Sequence, residues 1–186
     1  MNDKEYLPFK VAHLILMGIT IVITCIDLFQ MISGLRDGKD LLVMLRLFSD
    51  VVRIVAMMIG LIYLVTGYKK SSANYYKYFF VMLILAEISR LLVLFVRDSN
   101  ILLLISGSVS VMLSIVLLAK KDLGRNRSLI VLFVLIVIEL VIGIFMALQN
   151  VTLGQLGSDF SMLMLLGTAG FMISAKYIDK ELRGTK

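Results

Sequence analysis

The feature that most constrains this chain is a series of six apolar runs, at about Phe9–Ser33, Leu41–Gly67, Tyr78–Val96, Ile101–Ala119, Leu129–Leu148 and Phe160–Ile178. A hydrocarbon core about 30 Å thick takes about 20 helical residues to cross. Each run is about that long, and together they occupy most of the 186 residues. Backbone groups in lipid must be satisfied within the protein, and the runs lack the period-2 alternation of a barrel, which selects helices. The expected fold is an all-α integral membrane protein, a single domain over 1–186 with six transmembrane helices. Composition points the same way: 60% of residues are hydrophobic and 17% charged, against roughly 45–50% and 25% in soluble domains. The run from Phe9 to Ile32 exceeds a signal-peptide core and has no A-x-A-like site after it, so it reads as a retained first span.

The connections alternate in charge. Tyr68-Lys69-Lys70 through Lys77 follow the second run, Lys120-Lys121 through Arg127 follow the fourth, and Lys176, Lys180, Arg183 and Lys186 follow the sixth. With Lys4 and Lys10 this side collects thirteen basic residues, whereas the other side has only Arg36, Lys39 and Arg97. The positive-inside tendency then places both termini and these two loops in the cytoplasm, with the protein in the cell's inner membrane. All seven tyrosines fall at or near the same side, where an interfacial aromatic belt would lie. The remaining connections are short, so the helices are expected to pair as three antiparallel hairpins, at about 9–67, 78–119 and 129–178. The first helix of each carries one acid, Asp27, Glu87 or Glu139, a spacing compatible with a degenerate threefold repeat.

Charges also enter the apolar runs themselves. Arg46, Ser49, Asp50 and Arg53 fall at i, i+3, i+4 and i+7, one helical stripe that must find partners on other helices. Glu87 and Arg90 stand three residues apart and can pair within their own helix. Glu139 is the only ionisable residue in its run, and a central acid costs about 2.5–3.5 kcal/mol on insertion scales unless it faces protein or water. Asp27, Asp50, Glu87 and Glu139 stand against Arg46, Arg53 and Arg90, so one carboxylate lacks a formal cation. Glu139 is the candidate for that odd acid. The seven residues form either a structural ion-pair network or an ion or solute site.

In the first run His13, Met17, Thr20, Thr24 and Asp27 recur at spacings of four, three, four and three, a polar ladder along one face. Protonatable and hydroxyl groups stacked this way can pass a proton or strip an ion's hydration. The plainer reading is that the threonines bond back to their own helix, His13 sits at the cytoplasmic interface and Asp27 pairs with an arginine. Ser106, Ser110 and Ser114 repeat every four residues, and Gly170 and Ser174 form a second small-xxx-small pair. These read as packing surfaces, because small residues let helices approach closely in lipid.

Several function classes are absent. No H-E-x-x-H, G-x-S-x-G, P-loop, C-x-x-C or G-x-G-x-x-G motif occurs. One His and one Cys, Cys25, do not make a His/Cys metal centre, and no nucleophile–base pair is visible. The expectation is a non-enzyme with no metal and no cofactor. The formal charge of +6 comes from clusters at the ends of apolar runs, so nucleic acid is not expected as a partner. The expected partners are the lipid bilayer and, through the Ser106/Ser110/Ser114 face, another protein or a second copy.

Three hairpins, internal termini and short outer turns over nearly the whole chain resemble the small six-helix bacterial membrane proteins of the HdeD-like type. The resemblance implies architecture and no site residues. The chain departs from that type in having Pro8 as its one proline and charges such as Arg53 and Glu139 within its helices. Two functional expectations follow: a non-enzymatic membrane protein whose charge network organises the bundle or, as the alternative, a small transporter or transporter subunit for a cation, proton or polar solute.

Overall fold

The computed structural model describes residues 3–34, 41–66, 72–97, 101–119, 124–149 and 160–174. These residues form six helices, α1 (Asp3–Gly34), α2 (Leu41–Thr66), α3 (Ser72–Arg97), α4 (Ile101–Ala119), α5 (Arg125–Gln149) and α6 (Phe160–Ser174). The basic clusters at Lys69-Lys70, Lys120-Lys121 and Lys176 to Lys186, the outer turns, and the last turn expected to reach Ile178 lie outside the described residues. Helices α1, α3 and α5 start before the apolar runs do, at Asp3, Ser72 and Arg125. Hydropathy marks only the part of a helix that suits lipid, and the i→i−4 bonds continue into polar sequence on either side. At the start of α5, Gly124 takes a positive φ of 75° that residues with a Cβ rarely adopt, and its carbonyl accepts the Ser128 N–H at 3.1 Å.

Four apolar stretches are long enough to cross a membrane: Pro8–Ser33, Leu41–Thr66, Tyr75–Val96 and Asn126–Ile144. The apolar stretches Leu104–Ala119 and Phe160–Ser174 are shorter. Consecutive helices pack on one another from α1 to α5, and the most extensive contact is between α2 and α3. That interface joins two of the expected hairpins, and α1 with α2 bury less against each other.

The two ends of the helix order are used differently. On α1 the outward side chains Ile15, Ile19, Val22, Ile26 and Phe29 are all exposed, at spacings of four, three and four and three. The opposite stripe, Met17, Thr20 and Thr24, is buried. An apolar stripe left open along a whole helix is the surface a protein shows to lipid rather than to water. Cys25 belongs to this open side as well. Helix α6 is the reverse. Ser161, Met162, Leu165, Leu166, Thr168, Ala169, Met172 and Ile173 are buried, and α6 contacts α1 through His13, α2 through Gly60 and α5 through Leu132.

Glycine makes these contacts close. A Cβ on Gly60 would stand 2.8 Å from Thr168 Cγ2 and 3.2 Å from Phe79 Cε2; one on Gly107 would stand 2.9 Å from Leu91 Cδ1. Phe79 lies edge-on to Phe80 at 5.7 Å, within the range of favourable ring pairs. The core of the bundle is thus built from α2, α3 and α6, with α1 laid along one side.

Candidate functional site

On α2, Asp50 and Arg53 are three residues apart and share a face, so they pair within the helix: Arg53 Nη2 donates to Asp50 Oδ1 at 2.5 Å. Two further donors of the same guanidinium find neutral acceptors. Nε donates to the Ser49 carbonyl at 3.2 Å, and Nη1 reaches Ser161 Oγ on α6 at 3.4 Å. The Ser49 hydroxyl shares a hydrogen bond of 3.1 Å with Ser89 on α3. One arginine therefore links α2 to α6, while its neighbouring serine links α2 to α3.

On α3, Arg90 turns away from its own helix. Its Nη1 forms an ion pair with Glu139 Oε2 on α5, and the other carboxylate oxygen of Glu139 accepts from Ser110 Oγ on α4 at 3.0 Å. Both residues are buried. Each oxygen of Glu139 thus has a donor from a different helix, the condition under which a charge is tolerated in a low-dielectric interior.

The expectation that Glu139 is the odd acid is overturned by this pairing. Spacing along α3 allows Glu87 to meet Arg90, but the rotation of α3 against α5 decides which acid Arg90 takes. Glu87 and Arg90, three residues apart on α3, are in electrostatic reach of each other. Glu87 is 2% exposed, lies within electrostatic reach of Arg90 and Arg53, and has an oxygen, Oε1, with no hydrogen-bond partner.

The two remaining members of the cluster sit at its rim. Asp27 and Arg46 are half-buried, and both are in electrostatic reach of Asp50. The seven charges therefore form one connected set, running from Asp27 and Arg46 through Asp50, Arg53 and Glu87 to Arg90 and Glu139. They fall in the later halves of α1, α3 and α5 and the earlier half of α2.

No protein-family model, no curated protein and no solved structure was found to match this chain.

The polar ladder on α1 separates into parts. Thr20 Oγ1 donates to the Leu16 carbonyl and Thr24 Oγ1 to the Thr20 carbonyl, both at 2.8 Å, so these buried hydroxyls are satisfied by their own helix. His13 lies against α6. Its Nε2 is 2.9 Å from Thr168 Oγ1, and its ring is tilted against Phe171 at 5.2 Å. Thr168 Oγ1 also lies 2.9 Å from the Met164 carbonyl, which it donates to, and 3.5 Å from Met17 Sδ. Gly167 makes room for the imidazole, since a Cβ there would stand 2.7 Å from His13 Cε1.

The expected packing residues are placed as follows. Ser110 and Ser114 are buried, Ser106 and Ser174 are half-buried, and Gly170 faces Leu132 Cδ2, which a Cβ would meet at 3.2 Å. Ser110 proves to be a ligand of Glu139 as well as a small residue. Sequence reasoning missed Ser89 and Ser161 as cluster members. Single serines in an apolar run look like back-bonded residues, and their only signal is that they fall at the depth of the charges. Among the described residues no group of three or more His, Cys, Asp and Glu side chains is arranged to hold a metal ion.

Proposed function

We propose that this chain is a non-enzymatic, six-span protein of a bacterial cell's inner membrane, in which the charge cluster organises the bundle and the apolar surface meets lipid. Both termini are placed in the cytoplasm by the distribution of lysine and arginine. The observation that carries the reading is the buried pair between Arg90 and Glu139, which joins α3 to α5 while Ser110 adds α4. Such a pair is broken only at the cost of leaving a charge in the interior, so it selects one arrangement of helices over others that lipid would tolerate equally. Satisfied threonines on α1 and closely packed glycines on α2 and α4 favour a fixed bundle. The absence of a nucleophile–base pair in the sequence favours a role without catalysis.

A second reading, a small transporter or transporter subunit for a proton, cation or polar solute, is favoured by one observation. Glu87 keeps an unpartnered carboxylate oxygen among the charges. The two readings separate in liposomes. Purified protein reconstituted at known orientation is tested for proton and monovalent-cation flux under an imposed potential. Flux above that of empty vesicles, lost on Glu87→Gln, would displace the scaffold reading. Equal leak from both kinds of vesicle, with a melting temperature lowered by Arg90→Leu, supports it.

A further inference from the structure

The inner part of the cluster does not balance. Asp50, Glu87 and Glu139 are each at most 4% exposed, and so is Arg53, with Arg90 at 7%. Three acids therefore share two arginines away from water. The outer part does balance, because the half-buried Asp27 and Arg46 carry opposite charges. The excess negative charge is thus confined to the deep set. Asp50 is in contact with Arg53, and Glu139 is held by Arg90 and Ser110. Glu87 remains, with an oxygen that nothing donates to.

An ionised carboxylate oxygen without a donor in a dry interior is among the costliest arrangements a protein can hold. Two ligands would relieve it, a monovalent cation or a proton. A cation needs a shell of several oxygens. The charged groups in electrostatic reach of Glu87 are instead the arginines Arg53 from α2 and Arg90 from its own helix, and these repel a metal ion. The acids paired with them, Asp50 on α2 and Glu139 on α5, are already engaged. A proton needs one oxygen and no shell.

We infer that Glu87 is an intramembrane proton-binding site, its carboxyl held in the protonated form by burial of an oxygen that no donor reaches, while Arg53 and Arg90 are engaged by Asp50 and Glu139. This deepens the transport reading by naming the proton as ligand, while the binding itself does not depend on flux. The residue is placed to exchange that proton with an ionised state, because either arginine could turn to it once its present partner was neutralised. The site would then couple proton occupancy to the α3–α5 contact.

Infrared difference spectroscopy on the full chain in nanodiscs tests the site directly. A carbonyl stretch of a protonated carboxylic acid that shifts in deuterated water is expected at neutral pH. It should disappear in Glu87→Gln and persist in Asp27→Asn, with sodium concentration having no effect. Because glutamine mimics the neutral acid, Glu87→Gln should keep the melting temperature of the parent, so loss of the band would not reflect unfolding. Absence of the band in the parent, its survival in Glu87→Gln, or its removal by sodium would each overturn the inference. A Glu87-dependent band in a protein without proton flux would retain the site and reject transport; flux without the band would do the opposite.

Discussion

Arg53 and Asp50 pair within a single turn of α2, whereas Arg90 and Glu139 pair across the space between α3 and α5. The first pair needs nothing but its own helix. It can form as α2 enters the bilayer, lowering the insertion cost of both charges before any other helix is in place. The second exists only in the assembled bundle, so its free energy belongs to helix association. Ion pairs of similar burial thus act at different stages, one easing insertion and the other fixing the arrangement.

The largest expected effect is therefore on the pair between helices. Arg90→Leu raises the excess of deep negative charge by one and leaves Glu139 with only Ser110. It should lower the stability of the bundle by about 3–5 kcal/mol in reversible unfolding in mixed micelles. Arg90→Leu combined with Glu139→Leu restores the original balance and should recover more than half of the loss, as apolar replacement of a whole buried pair often does. Asp50→Asn should cost less, about 2 kcal/mol, because Arg53 keeps the Ser49 carbonyl and Ser161 as acceptors and has Glu87 within reach. Equal losses for Arg90→Leu and Asp50→Asn would remove the distinction between a local and a tertiary pair.

The difference between the two pairs also marks how far the sequence could be read. Period and hydropathy located all six helices, and the i, i+3, i+4, i+7 stripe on α2 contained a pair that its own spacing dictates. Rotation about each helix axis was not legible, and rotation brought Glu139 on α5 to Arg90. Nor could the sequence reveal α6 as the buried helix touching α1, α2 and α5, because an apolar run has the same composition whether it faces lipid or protein.

Close packing around α6 sharpens the comparison without altering a charge. Gly60→Ala would drive a methyl group to 2.8 Å from Thr168 Cγ2 with Phe79 behind it, and neither neighbour has free space to retreat into. A loss of about 1–2 kcal/mol is expected, the usual range for overpacking in a filled core. The proton-binding signature at Glu87 should be unchanged, since Gly60 sits on the other side of Arg53 along α2. If Gly60→Ala erased that signature, the packing of α6 and the charge cluster would be a single unit rather than two.

The smallest effect is expected where the sequence looks most like a conduit. Thr20 and Thr24 are buried at 4% and 2% exposure, yet both hydroxyls donate to carbonyls of their own helix. Those carbonyls keep their helical N–H partners when the hydroxyls are removed, so nothing is left unsatisfied. Thr20→Val with Thr24→Val should therefore change stability by less than about 1 kcal/mol. The same double variant distinguishes the ladder from the cluster in liposomes. A proton route along α1 depends on exchangeable hydroxyl groups at these two levels, and replacing them with methyl groups would interrupt it. Any proton passing through Glu87 by way of α2, α3 and α5 would be unaffected. Flux abolished by the threonine variants but kept in Glu87→Gln would place the working path on α1, the helix least buried by the rest of the bundle, and would reduce the charge cluster to its structural part.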